Sequence, residues 1–353
     1  MAKRRERIRK ERRSNLVDLS VPTTEVVLEV LQHEDGARLD GFIAARFDWR
    51  SKTQIQGWIK DGIVSVDGRS SVKKSTKLVE GDRVRIQVPE PKEEVRHEQL
   101  AAELVVLHED EDLIAVNKPP NLVVHPVGRV RHNTLIQALH WFFRHGEGAR
   151  PGARVVIPKI CHRLDKDTSG VMIVAKNDRA RADIQRIFEA RELDKSYLAL
   201  LEGRVEFDTR VVDQPLGPDP AGTHGMRMAV VPGGLPSRSV FKAREVFREA
   251  SFCEVAIETG RQHQIRVHAA WLGHPVLHDA LYGPTFDPAQ PRERSEDEDE
   301  SRGATEPEGP RQALHAWRLR LPHPRTGETL DLVADLPDDM SRWLTELREE
   351  SQA

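Results

Sequence analysis

The chain reads as an α+β protein whose main domain carries a large mixed, mostly antiparallel sheet, with a small basic unit ahead of it. Three observations predict this. The strand-like runs are short and the helices between them uneven, unlike the regular alternation of a doubly wound parallel sheet. A length of 353 residues allows two or three domains, one of them with a sizeable core. Residues 89–103, proline-bearing and charged, read as a linker between a compact N-terminal pattern and the rest.

Composition excludes several classes. With 31% charged residues and no run of about 18 apolar positions, no membrane-spanning helix is expected. Residues 1–13 hold eight Lys/Arg, two Glu and no apolar stretch, so 1–20 is expected to be a basic flexible tail rather than a secretory signal. Cys161 and Cys253 are too few for a disulfide framework or a zinc module, which makes the cytoplasm the expected compartment. The net charge of −3 conceals an asymmetry, with +6 in residues 1–13 and −5 in residues 291–310. The acidic stretch 288–309 is expected to be a disordered insertion on a surface loop. A basic arm suits a polyanionic partner, since each neutralised phosphate releases counterions; a merely solvated tail fits the composition equally well.

Elements follow in order. Residues 14–36 carry no clear pattern. Leu39, Phe42, Ile43 and Phe47 then line one face of a short helix. Ser51 to Gln54 spells a capping box, Ile55, Trp58 and Ile59 form the apolar face of a second helix, and Gly62 supplies its left-handed end. Residues 63–66 form a strand, Asp67-Gly68 a turn, and 84–88 a last alternating strand. Between Ala37 and Val88 eleven Lys/Arg face six Asp/Glu. Arg38-Leu39-Asp40, Arg50-Ser51-Lys52 with Gln54, Gly62 and Gly81-Asp82 make residues 37–88 resemble the αL-type RNA-binding domain first seen in a ribosomal small-subunit protein, although Trp49 stands where a small Ser is common. The resemblance implies phosphate contacts from Arg38, Arg50, Lys52 and Lys60.

Residues 104–340 form the main domain, with 341–353 as a C-terminal tail. Strands are expected at 104–107, 113–117, 171–175, 197–202, 252–258 and 330–333, and helices at 133–143, 178–189 and 262–272. No G-x-G-x-x-G or P-loop pattern supports a nucleotide cofactor. His263 and His268 stand five apart with no HExxH or clustered Cys/His, so no metal site is expected, and His268, His274 and His278 are read as backbone-bonding.

Three segments carry chemistry. Residues 161–170, Cys-His-Arg-Leu-Asp-Lys-Asp-Thr-Ser-Gly, place Asp165 on a turn-rich loop ahead of a buried strand. Residues 258–268 place Gln262, His263 and Arg266 toward one helix face, where a guanidinium can be aimed at a carboxylate. Lys195-Ser196-Tyr197 enters a strand, and Tyr197 is one of only two tyrosines. Taken singly, Asp165 as a turn cap, Arg266 as a structural ion-pair partner and Tyr197 as a half-buried strand residue are the readings that composition favours.

Taken together, the segments resemble the RluA-type pseudouridine synthases over about 230 residues and in the right order. The resemblance rests on Val116-Asn117-Lys118-Pro119-Pro120 with Val123-Val124-His125-Pro126; on His162-Arg163-Leu164-Asp165 with Thr168-Ser169-Gly170; on Phe188, Arg191, Lys195 and Tyr197; on Gly260-Arg261, His263 to His268 and Gly273-His274-Pro275; and on residues 311–316 with His323-Pro324. Departures are Gln262, where Thr or Ser is usual, and Leu277-His278-Asp279, where a Gly commonly precedes the Asp.

The resemblance implies isomerisation of uridine in structured RNA, foremost large-subunit ribosomal RNA, by a monomer with no metal or cofactor. A stacked uridine must flip into a pocket for its glycosidic bond to be reached. Asp165 is the implied nucleophile, acting at the anomeric carbon or through a glycal-like intermediate; both routes stay open. Arg266 orients the carboxylate, and Tyr197 stacks on the base or helps remove the carbon 5 proton. Arg163 fills the gap left by the flipped base, Leu164 and Ile265 wall the pocket, and His162, Thr168 and Lys195 complete the substrate contacts. The competing readings are a catalytically inactive RNA-binding or ribosome-assembly factor, a synthase acting on transfer RNA, and a metal-dependent hydrolase.

Overall fold

The computed structural model describes residues 25–47, 52–87, 94–126, 132–150, 155–221, 227–284 and 310–352. The expected tail 1–20, Arg50, Ser51 and the expected insertion 288–309 lie outside them. The chain gathers into two compact units, one from the described residues of 1–102 and 125–155, the other from those of 103–124 and 156–353.

The first unit opens with β1 (Glu25–Glu29), α1 (Leu39–Ala44), α2 (Lys52–Lys60), β2 (Val64–Val66) and β3 (Arg83–Gln87). The strands form an antiparallel sheet in the order β1-β3-β2. Leu39, Phe42, Ile43 and Phe47 pack with Ile55, Ile59, Val84 and Ile86 in one buried cluster, as their spacing predicts. Gly62 takes φ +74° just past α2, and Asp67-Gly68 are both left-handed, the conformation a two-residue hairpin turn needs.

Two expectations are corrected here. Residues 25–29 belong to the sheet, because Leu28 and Val30 alternate into its core while Arg83–Gln87 supplies the facing ladder. Residues 97–102 are not linker but helix α3 (His97–Ala102), which lies beside α4 (Leu135–Arg144). The Arg96 backbone N–H donates to Asn133 Oδ1 at 2.8 Å, and Asn133 Nδ2 donates to the Glu94 carbonyl at 2.9 Å. These bonds and the stacked His97 and His132 rings group 125–155 with the N-terminal stretch rather than with the main domain.

The second unit contains β4 (Val105–Glu109), β5 (Leu113–Lys118), β6 (Lys159–Ile160), β7 (Ser169–Ala175), α5 (Asp178–Ala190), β8 (Asp194–Glu202), β9 (Thr209–Asp213), β10 (Leu216–Pro218), β11 (Met228–Val230), β12 (Arg238–Val246), β13 (Ala250–Ile257), α6 (Gln264–Trp271), β14 (Leu314–Pro322), β15 (Thr329–Val333) and α7 (Asp338–Glu350). Ten strands form one mixed sheet in the order β4-β5-β7-β14-β8-β13-β12-β9, with β15 on β14 and β6 on β7. Among the described residues only β7 with β14 is parallel. The expected tail 341–353 is corrected as well. Helix α7 runs through that boundary because Met340 and Leu344, with Trp343 and Leu347 beside them, pack a helical stripe onto the core.

Gly170 sits at the start of β7 with φ +117°, and a Cβ there would stand 2.2 Å from the Ala316 carbonyl oxygen of β14. Only a bare backbone lets the two parallel strands approach this closely. Gly170→Ala is expected to lower the unfolding free energy by about 2–4 kcal/mol, through combined backbone strain and strand displacement. Urea denaturation checks it.

Candidate active site

The site is assembled within the second unit, on the turn that leads into β7. The Thr168 backbone N–H donates to the Asp165 carbonyl at 3.2 Å, closing a turn over Lys166 and Asp167. Three distant residues tether it. Lys118, wholly buried at the end of β5, donates from Nζ to the carbonyls of Pro119, Leu122 and Lys166 at 2.8, 3.0 and 2.9 Å. Arg311 Nη1 donates to the Asp167 carbonyl at 2.8 Å, while its Nε and Nη2 pair with both oxygens of Asp339. Gln312 Nε2 donates to Thr168 Oγ1 at 3.0 Å. The Asp165 side chain is thus presented half-buried from a fixed backbone.

Arg266, on the first turn of α6, reaches Asp165 Oδ2 through Nη1 at 3.2 Å across 101 positions of sequence. The expected pair is therefore in contact. Its stronger partner is Asp279, whose Oδ2 and Oδ1 accept from Nε and Nη2 at 2.6 and 2.8 Å. Asp279 is fully buried and its Oδ1 also accepts the backbone N–H groups of Leu281 and Tyr282. Burial opposes the Arg266 charge, but the bond to Asp279 and the charges of Asp279 and Asp165 outweigh it, and the guanidinium pKa is raised. His278 takes φ +62°, the left-handed region in which glycine is free of strain. That explains in backbone terms why a Gly commonly precedes this Asp.

Helix α6 is held from below. Gln264 Oε1 accepts from Thr259 Oγ1 and the Arg261 N–H, while its Nε2 donates to the Arg238 carbonyl and Ser239 Oγ. Helix α6 begins at Gln264, so Gln262 lies in the turn before it and does not share the face of Arg266. His268 and His274 bond the backbone carbonyls of Gln214 and Glu202, as expected, whereas His278 packs edge-on against Trp343.

The remaining expected residues divide. Tyr197 lies partly buried on β8, and its phenol pKa is raised by burial and then by the nearby Asp165 charge, so it keeps its proton at neutral pH. Leu164 and Ile265 are buried, and Arg163 is exposed. The Lys195 ammonium lies 5.8 Å from the centre of the Phe188 ring, its pKa lowered to about 8 by burial and the neighbouring Arg191 and Arg261. His162 serves the scaffold: its Nε2 accepts the Ile173 backbone N–H at 2.9 Å and its ring stacks on Phe188. In the other unit, Arg38 is forked onto the buried Asp40 through Nε and Nη2, while Lys52 and Lys60 are exposed.

Sequence reasoning missed the role of Asp279, of Lys118 and of the pair His263–Tyr282, whose side chains meet at 2.8 Å. Asp110, Asp112 and His323 also come together, but their atoms are already engaged. Asp110 Oδ2 takes His108 and His323, Asp110 Oδ1 accepts two backbone N–H groups, and Asp112 Oδ2 pairs with Arg325. This is the wiring of a structural corner, not of an open cation site.

The site thus brings together a half-buried loop carboxylate, a buried arginine that contacts it, and a protonated tyrosine within reach of its charge. The family model for RNA pseudouridylate synthase matches residues 112–271, which span the Asp165 turn, Tyr197 and Arg266. Over 95% of its length the chain is 37% identical to ribosomal large subunit pseudouridine synthase D of Nitrosomonas europaea, covering 88% of that protein. It is 38% identical over 93% of its length to the protein of the same name from Vibrio vulnificus, covering 96% of it. Among solved structures it resembles human RNA pseudouridylate synthase domain containing 4, with a TM-score of 0.54 and 27% identity over 72% of this chain and 97% of that one. The chain belongs to the RNA pseudouridine synthase family.

Three largely buried histidines give the fold a pH signature. His162, His263 and His315 are each pushed down to about 4, chiefly by burial. An unfolded imidazole titrates near about 6.5. Between those values the unfolded chain binds more protons, so these groups withdraw stability as pH falls from about 6.5 to about 4 and add no slope above it. The unfolding free energy at about pH 5 is expected to fall below its value at about pH 7.5 by about 1–2 kcal/mol per histidine, measured by urea unfolding.

Proposed function

We propose that this protein isomerises uridines in large-subunit ribosomal RNA, with Asp165 as the nucleophile. The observation that carries the assignment is the Arg266–Asp165 contact at 3.2 Å, made by a buried guanidinium whose other edge is committed to Asp279. The names of the relatives support the ribosomal substrate. The target nucleotide leaves its stack and enters against Asp165, with exposed Arg163 positioned to stack in the vacated space and Leu164 and Ile265 forming apolar walls. The carboxylate attacks the anomeric carbon and expels uracil at N1, or promotes loss of a ribose proton to a glycal. The uracil turns, and its carbon 5 bonds the anomeric carbon as the Asp165 ester bond breaks or the glycal is reprotonated. N1 gains a proton as carbon 5 loses its own, with water excluded. Because Tyr197 holds its proton, packing against the base fits it better than abstracting a proton as phenolate. Lys195 completes the substrate contacts, whereas Thr168, expected among them, is buried with its Oγ1 bonded to Gln312 and serves the turn instead. No helix of the described residues is long and apolar enough to cross a membrane, and ribosomal RNA as substrate fits a cytoplasmic location. The exposed Lys52 and Lys60, with Arg38 and Arg50, supply the RNA contacts of the N-terminal unit.

Purified protein incubated with a large-subunit ribosomal transcript and probed with carbodiimide is expected to leave reverse-transcription stops at modified uridines. Asp165→Asn is expected to abolish them while changing RNA affinity less than about threefold, since the phosphate contacts survive. Binding without stops by the unaltered chain would favour an inactive assembly factor, and stops only on transfer RNA would reassign the substrate. The double variant Lys52→Gln, Lys60→Gln is expected to weaken binding and to reduce the slope of log affinity against log salt by about 2. A filter-binding salt titration measures it.

A further inference from the structure

The two groups with no part in the reaction as described so far, His263 and Tyr282, are joined to each other and to both ends of the Asp279–Arg266–Asp165 chain. The Tyr282 hydroxyl accepts the Met228 backbone N–H at 2.9 Å. Its own proton is then free to point at His263 Nδ1, 2.8 Å away, with the two rings edge-on at 77°. An imidazole that accepts at Nδ1 carries its hydrogen on Nε2. That Nε2 lies 3.9 Å from Asp165 Oδ2, the same oxygen that Arg266 Nη1 reaches at 3.2 Å. The ring has little freedom to leave. His263 is the left-handed N-cap of α6 at φ +55°, and the Arg266 guanidinium covers the Tyr282 ring at 5.1 Å. Asp279, which grips Arg266, also accepts the Tyr282 backbone N–H, so one buried carboxylate sets the position of both donors.

We infer that His263 is a positioning residue for the nucleophile: Tyr282 fixes its tautomer, its Nε2–H and the Arg266 guanidinium both face Asp165 Oδ2, and Oδ1 is thereby left as the oxygen that reacts. The 3.9 Å gap closes to a hydrogen bond with a shift of about 1 Å, the kind of tightening that substrate binding brings. Burial keeps the ring uncharged at neutral pH, against the pull of Asp165 and Asp279 and with the push of Arg266 and Arg163. The inference rests on Asp165 being the nucleophile.

The test uses the full chain, single-turnover kinetics on a large-subunit ribosomal transcript, and nitrogen-15 NMR of the His263 ring. His263→Gln keeps an N–H near the Nε2 position, whereas His263→Asn tolerates the left-handed backbone but is too short to reach. The asparagine variant is expected to lose about tenfold or more in rate at saturating RNA with unchanged RNA affinity, and glutamine to restore the rate to within about threefold of the parent. Tyr282→Phe keeps the ring over Arg266 but removes the hydroxyl, and is expected to shift the NMR signature away from the Nε2–H tautomer and to slow turnover alike. Equal rates in asparagine and glutamine variants, a loss expressed only in RNA affinity, or an Nδ1–H tautomer in the unaltered protein would overturn the inference. An inactive parent protein whose ring is nonetheless Nε2–H would instead sink the nucleophile assignment, so the two failures are distinguishable.

Discussion

One buried guanidinium organises this molecule's chemistry. Arg266 offers five N–H groups in a rigid fork, and the fold spends Nε and Nη2 on Asp279 so that Nη1 is left facing Asp165. Removing an arginine and a carboxylate from water is costly, and the cost is tolerable only because the geometry is bidentate and Asp279 is further satisfied by two backbone donors. A lysine could not serve, since a point charge has no second edge with which to hold one carboxylate while orienting another. The arrangement separates two duties. Asp279 neutralises and anchors, and Asp165 keeps its exposure to whatever enters the site.

The turn under Asp165 shows the same division from the backbone side. Its carbonyls are held by Lys118 from β5 and Arg311 ahead of β14, and its Thr168 by Gln312. Each of these groups is committed to the turn, and each removes a degree of freedom from the carboxylate. For the nucleophile proposed here, which must not wander while a cleaved base is kept and turned, the tethers meet that need before any ligand arrives.

Much of this was legible in the residues. The Asp165 loop, the Arg266 helix and the Tyr197 strand each carry a short polar signature beside a strongly patterned apolar run, and those runs, such as 171–175, are buried on both sides. What escaped reading had weaker local signal. Strand β9 buries a single residue, and β12 fully buries only Ser239 and Phe241 before running on through charged and half-buried positions, so neither stands out from loop. Strand β1 is hard to read although Val26, Leu28 and Val30 alternate, because so short an alternation gives little contrast with the unpatterned residues around it. Asp279 could not be paired with Arg266 from spacing, since the thirteen positions between them cross a helix end and a left-handed residue at His278. Helix α7 crosses the expected boundary at 341 on a sparse apolar stripe, with Met340 and Leu344 alone fully buried.

The parallel pairing of β14 with β7 has a consequence for how the protein comes into being. Strand β14 lies between β7 and β8, so the sheet stays in two halves until residues 314–322 are inserted. Ser169 and His315 are 146 positions apart and joined directly by a hydrogen bond. Closing so long a loop is slow and entropically expensive. During translation, therefore, the carboxylate emerges early, but its turn is not fully tethered until residues 311–322 have followed it out of the exit tunnel.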